Sequence, residues 1–434
     1  MFSRITKTLW GEISSEEAKK FGFLALIFFF VIGPYWMMRE MKNALFMNIV
    51  GPTALPYAKM VSLVSITLLV LFYNKLINWF EKTNLVYVVT SLFALLYLSI
   101  AILSAHPTIG VANTVASKYR IFGWLLYIAV EAFGSIGVSL FWAYVASIMD
   151  TLTAKKGYPL ILSGAQLGSI LGSVAVMTLP SIIGVPTLFG IAAGCVFVVP
   201  LLIRIFSKKY VPQAIQNNQE TKKPTSIIEG LRLIGTKPYL MGILVVSTIF
   251  EIISTIIEYQ MNYYAKQQLG SLEKIAEFLG LQGLAINMLA FVFALIGTSF
   301  FIRKFGLTAC LILYPTLIAC LVLFSWSLPS LYVFLICVIG IKGLSYALNN
   351  PCKEIMYIPT SKDVKFKAKG WIDSFGGRSS KAVGASVNAL FPVLSELLFY
   401  GSIISLGIIT AWIPIAWYVG RTNHKLVEEN KIIE

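Results

Sequence analysis

IFGWLLYIAVEAFGSIGVSLFWAYVAS, residues 121–147, decides the fold. The run exceeds the ~20 apolar residues that a helix needs to cross the hydrocarbon core of a bilayer. Its only charged residue is Glu131. It lacks the strict alternation of a membrane β-barrel strand, so a membrane-spanning helix is the reading that fits.

Working outward, runs of the same kind recur along the chain. They predict spans at 21–41, 57–77, 84–104, 121–147, 158–180 and 183–205, then at 238–264, 283–302, 305–325, 329–350, 371–397 and 399–420. The composition agrees: 57% of the 434 residues are hydrophobic and 13% are charged. A soluble domain carries about 25% charged residues, and a fold of this size has too much surface to hide so much apolar side chain. The first run begins near Phe21, after Lys19 and Lys20. No small-residue cleavage site follows, so it reads as a span and not as a signal peptide.

Six spans, a polar stretch and six more spans predict an all-α polytopic membrane protein. The expected parts are a bundle over 1–205, a basic cytoplasmic linker over 206–237, a second bundle over 238–420 and a cytoplasmic tail over 421–434. Two six-helix bundles around a central path are a major-facilitator-like arrangement. Gly33–Pro34 and Gly164–Gly168–Gly172 suit either mobile helices or close helix packing.

The formal net charge is +15. Its distribution has a membrane explanation. Arg4, Lys7, Lys19, Lys20, Lys75, Lys82, Lys155, Lys156, the linker lysines, Arg303, Lys304 and the run from Lys353 to Lys369 all fall on one side for this helix count. The opposite connections, at Ala105–Ser117, Pro180 and Lys274, are poorer in basic residues, with Lys118 and Arg120 as exceptions. The positive-inside rule then places both termini in the cytoplasm. Basic residues interleaved with aromatics are missing, so lipid and not nucleic acid is the expected partner. Cys195, Cys310, Cys320, Cys337 and Cys352 have no metal-ligand spacing, and His106 and His424 are far apart. No metal or other cofactor is expected.

Ionisable groups inside a bilayer are costly and mark function by default. Four segments carry them. Arg39–Glu40–Met41–Lys42–Asn43 continues the first span, where its cations would either line a cavity or snorkel to the headgroups. Glu131 sits in the middle of the fourth span and needs a polar cavity or a partner. In STIFEIISTIIEYQMNYYAKQQ, Glu251 and Glu258 are seven residues apart and share a helix face; Tyr259 and its neighbours fit either base stacking or an interfacial belt. The densest segment runs from Pro351 to Ala385. Lys353 and Glu354 close the tenth span, Asp373, Arg378 and Lys381 enter the eleventh, and Gly–Gly–Arg–Ser–Ser–Lys offers flexible backbone, hydroxyls and cations to a phosphate. It lacks P-loop spacing. No nucleophile–base pair supports hydrolysis, so no enzyme is expected.

These segments resemble the ATP/ADP translocases of obligate intracellular bacteria and plastids, a non-mitochondrial nucleotide transporter family, over roughly residues 15–420. R-E-M-K-N at Arg39–Asn43 resembles the family's R-D-T-K-D, which makes Lys42 the counterpart of its essential first-span lysine. VEAFGS resembles AELWGS and carries the family's fourth-span glutamate onto Glu131. NLVEVTWK carries the seventh-span glutamate onto Glu258, with Glu251 as the alternative. The segment PCKEIMYIPTSKDVKFKAKGWIDSFGGRSSKAVGA follows the family pattern at Lys353, Glu354, Tyr357, Ile358, Pro359, Lys369, Asp373, Gly376 and Lys381. Departures are Glu40, Asn43 and Gly377–Arg378.

The resemblance implies transport of ATP and ADP, with Arg39, Lys42, Arg378 and Lys381 meeting phosphates. Glu131, Glu258 and Glu354 would gate or couple, while Glu251, Lys353, Asp373 and Tyr259 are additional site residues. It equally admits proton-coupled import of other nucleotides or NAD exchange. A membrane enzyme or structural membrane protein is the different-class alternative. The chain starts without a plastid-type extension, so a bacterial inner membrane is expected.

Overall fold

The computed structural model describes residues 14–79, 82–149, 151–210, 227–296 and 298–433. Arg4, Lys7 and half of the expected linker, including Lys222 and Lys223, lie outside the described residues.

Among the described residues the regular secondary structure is helical, apart from one isolated bridge between Thr360 and Ile433. The main helices are α1 (Ser15–Ile49), α2 (Leu55–Trp79), α3 (Lys82–Ala105), α4 (Ile121–Ile148), α5 (Thr151–Thr178) and α6 (Val185–Tyr210). They continue with α7 (Ile227–Thr236), α8 (Pro238–Thr248), α9 (Phe250–Leu269), α10 (Leu272–Ile296), α11 (Thr298–Ser327) and α12 (Leu331–Leu344). The last four are α13 (Asn350–Met356), α14 (Lys362–Trp371), α15 (Gly377–Leu390) and α16 (Leu394–Glu428). Among the described residues, eleven helical segments are long and apolar enough to cross a bilayer. The fold is that of an all-α polytopic membrane protein.

Several boundaries differ from the sequence reading, each for a local reason. The first helix outruns its expected 21–41. Ser14 caps it in a reciprocal box with Glu17 (2.8 and 3.2 Å), and Glu40, Lys42 and Asn43 of its charged motif are buried in protein, so the helix continues through them. The eighth span, expected at 283, starts at Leu272. Ile275, Ala276 and Leu279 are buried, and Glu277 accepts a hydrogen bond from the Ser181 backbone (3.0 Å), so this stretch is amphipathic helix and not connection. The twelfth runs through the expected start of the tail to Glu428.

The eleventh expected span departs most. It is an unbroken helical run assembled from α14, a π turn at Ile372–Gly376 and α15. The Gly–Gly–Arg–Ser–Ser–Lys stretch expected to be flexible is helix, closing the π turn and opening α15. A second π turn, Ser345–Asn349, joins α12 to α13. Such turns are rare and concentrate at functional sites. Gly306 interrupts α11 at φ +78°, which glycine adopts without a Cβ clash.

The described chain falls into two compact units. One takes its residues from Met1–Gly51, Val64–Thr221 and Leu269–Leu284, the other from Pro52–Leu63, Lys222–Gln268 and Ala285–Glu434. In the first unit α1 packs on α5 backbone to backbone. A Cβ on Gly168 would lie 2.8 Å from the Phe29 carbonyl oxygen and 3.1 Å from the Gly33 nitrogen. A Cβ on Gly164 or on Gly172 would come closer still to a carbonyl oxygen, that of Ala25 or of Gly33 respectively. The glycine row is thus a packing seam between the two helices. Phe28 stacks on Phe141 of α4 at 4.2 Å. Arg120, an exception to the charge asymmetry, has structural work: its guanidinium donates to the carbonyls of Ile109, Gly110, Asn113 and Val115 at 2.6–3.2 Å. It ties down the connection that precedes α4.

Candidate functional site

In the first unit α1 carries the R-E-M-K-N motif inside the protein. Lys42 is buried and forms an ion pair with Glu131 of α4. Its ammonium also lies 4.9 Å from the centre of the Tyr127 ring, a cation–π contact on the same helix as its partner. The helical spacing of Tyr127 and Glu131, one turn apart, lets α4 present both to one lysine. Phe46 packs edge-on against Tyr127 (5.4 Å) and Trp124 (5.2 Å), which fixes the Tyr127 ring beside the lysine. Arg39 lies over the Trp36 ring at 4.3 Å, with its Nε 3.9 Å from Glu40. Glu40 is buried, and Asn43 is buried with its carbonyl oxygen unpartnered. Of the two settings open to the motif, Lys42 occupies the interior one.

In the second unit α9 bears the other acids. Glu251 lies 3.6 Å from Lys381 of α15. Glu258 accepts from Lys59 of α2 (2.9 Å) and from Lys342 of α12 (2.5 Å), bridging two helices that sequence reasoning had not joined. Burying ions this way is costly unless geometry and partners are good, and removing one partner leaves the other stranded. Tyr259 is buried beside Tyr263, with ring centres 6.3 Å apart.

Farther along the second unit, Lys353 pairs with Asp373 (2.8 Å), and Lys369 grips both Glu354 oxygens (2.5 and 2.7 Å). Lys367 reaches Glu229 of α7 at 2.9 Å. Arg378 is half-buried in the first turn of α15. The end of the chain returns here. Ser361 donates to the Ile433 carbonyl (2.9 Å) and Ile433 to that of Pro359 (3.0 Å). Beside it the hydrogen bond from Lys431 (2.7 Å) holds the exposed Glu429 carboxyl below its ordinary range.

The structure therefore pairs Lys42 with Glu131, Lys381 with Glu251, Lys353 with Asp373 and Lys369 with Glu354. Lys42 and Arg39 belong to one unit, and Arg378 and Lys381 to the other. Sequence reasoning missed Lys59 and Lys342. For Lys342 the signal was there, since a lysine well inside the expected span 329–350 is as anomalous as Glu131. Among the described residues no cluster of His, Cys, Asp and Glu is disposed to hold a metal.

A family model described as the TLC ATP/ADP transporter matches residues 1–422. The chain belongs to the TLC ATP/ADP transporter family. It is a nucleotide transporter, a multi-pass protein of an inner or plasma membrane. The ADP,ATP carrier protein 3 of Rickettsia bellii is 23% identical over 98% of this chain and 98% of its own. The chloroplastic ADP,ATP carrier protein 2 of Arabidopsis thaliana is 25% identical over 95% of this chain and 76% of its own. Among solved structures the nucleoside transporter NupG matches with a TM-score of 0.60 at 12% identity, over 93% of this chain and 99% of that one. The peptide transporter POT in complex with sulfate gives 0.61 at 15%, over 92% and 95%. These likenesses establish a major-facilitator-like fold for the TLC-family chain.

Proposed function

We propose that this transporter exchanges external ATP for internal ADP across a bacterial inner membrane, by alternating access between two six-helix bundles over 1–205 and 238–420. The linker over 206–237, the tail over 421–434 and both termini are cytoplasmic in this reading. Arg39, Lys42, Arg378 and Lys381 meet the phosphates. Glu131, Glu258 and Glu354 hold cations when no substrate is bound, and Tyr259 offers a face to the base. Glu251, Lys353 and Asp373 complete the set.

The observation that carries the reading is the pairing of Lys42 with Glu131 and of Lys381 with Glu251. A cation that must grip a phosphate and then release it needs a counter-ion for the empty state, because a bare charge in a low-dielectric interior is expensive. Acids in these positions compete with substrate and return when it leaves. The same competition keeps phosphate binding weak enough for turnover.

Uptake of labelled ATP into proteoliposomes, with and without ADP inside, tests the proposal. Uptake that depends on internal ADP is expected. Equal uptake into empty vesicles would reject obligate exchange and point to coupled import.

A further inference from the structure

The cluster around Glu258 has one more positive charge than negative. Glu258 is the sole carboxylate in contact with Lys59 and Lys342 among the described residues, and the three side chains are only 9%, 14% and 11% exposed for Lys59, Glu258 and Lys342. Two ammonium groups on one carboxylate leave a cation uncompensated where water is scarce, and such a charge attracts a counter-ion.

The face of α9 around Glu258 also has spare hydrogen-bonding capacity. Ser254 and Asn262 lie one helical turn before and after it, on the same face. Both are fully buried; the Ser254 hydroxyl and both amide atoms of Asn262 have no partner. Buried polar atoms are nearly always satisfied, so a stripe of unsatisfied ones beside an excess cation suits a polar guest. The lysine opposite is held in place. Lys342 stands at the end of α12, just before a π turn. Tyr314 donates to the carbonyl of the adjoining Ile341 (2.9 Å), and Asn349, which ends that turn, donates to Ser247 (3.2 Å).

We propose that Lys59 and Lys342 form a phosphate-binding pair, and that Glu258 is its built-in occupant, displaced when a substrate phosphate arrives. The inference deepens the nucleotide reading and rests on it for the identity of the substrate. A phosphate group carries more charge than a carboxylate and has an additional oxygen, so it satisfies two lysines better. The unpartnered Ser254 and Asn262 supply donors for the oxygens that the lysines leave free. When the phosphate departs, Glu258 closes the pair again. Loading thus requires breaking two ion pairs at once, which links the arrangement of α2, α9 and α12 to occupancy.

Equilibrium binding of ATP, and separately of pyrophosphate as a probe without a base, to purified full-length protein tests the pair. Glu258→Gln removes the competitor, so affinity for both probes rises at least about tenfold, because the binding-competent state no longer has to displace it. Lys59→Gln and Lys342→Gln weaken both. Lys59→Arg and Lys342→Arg keep the charge and retain binding, which separates phosphate recognition from simple packing if either glutamine variant misfolds. If Glu258→Gln binds ATP no more tightly than wild type, or if the arginine variants lose binding as fully as the glutamine variants, the pair is not a phosphate site, while ATP binding by wild type leaves the nucleotide reading standing. Wild type that binds pyrophosphate with this variant pattern but ignores ATP supports the site and rejects the nucleotide reading. Wild type that binds neither rejects both.

Discussion

Lys42 and Glu131 come from helices distant in sequence and meet in a buried ion pair. Breaking such a pair by removing one partner costs roughly 3–5 kcal/mol, while replacing both with apolar groups of similar volume is often neutral. Lys42→Met and Glu131→Leu should each lower the unfolding temperature in detergent. The double variant should recover most of the loss, yet stay inactive in ATP uptake. A double variant that regains transport would make the pair a matter of stability alone. Both residues were legible in the sequence because each is an ionisable side chain in or beside an apolar span. Their partnership was not, because spacing along the chain says nothing about which helices become neighbours. Lys59 and Lys342 were harder still. Lys59 stands near the start of its expected span, where a lysine passes for an interfacial residue, and only Glu258 between them reveals their use.

At the scale of elements, the seam between α1 and α5 depends on missing side chains. Gly168→Ala places a methyl 2.8 Å from the Phe29 carbonyl, so backbone and not a flexible side chain must yield. Overpacking of this kind costs about 1–3 kcal/mol. Gly194 of α6 has nothing within 4 Å of an added Cβ, and Gly194→Ala there should gain up to about 1 kcal/mol from helix propensity. Thermal unfolding of the two variants beside wild type should move in opposite directions; a neutral Gly168→Ala would mean that the seam opens easily and that these glycines serve movement. The glycine spacing was readable in the sequence, but the choice between packing and motion was not, since both use small residues. Element ends were misread for a related reason. Hydropathy ends a span at the first cluster of charges, whereas α1, α10 and α16 continue through theirs because neighbouring helices or amphipathic spacing accommodate them.

For the whole molecule, the topology turns on the composite helix from Lys362 to Leu390. Eleven apolar segments alone would put the two termini on opposite sides of the membrane. The composite run spans about 40 Å at 1.5 Å per residue, enough to cross, but Lys369, Asp373, Arg378 and Lys381 make it too polar to face lipid. It can cross only with those groups turned toward protein or a polar path, and Lys381 does contact Glu251 of α9. If it crosses, the count is twelve and both termini share a side. On a background with the five native cysteines replaced, Glu16→Cys, Thr108→Cys and Asn430→Cys put single thiols at exposed positions in the first turn of α1, after α3 and beyond α16. An impermeant maleimide applied to intact cells should label Thr108→Cys alone, and permeabilised cells should react at all three. Thr108 is three apolar helices from Glu16, so opposite behaviour of these two calibrates the assay. Labelling of Asn430→Cys in intact cells would mean that the composite helix does not cross, and Arg378 and Lys381 would then be excluded from any path through the bilayer.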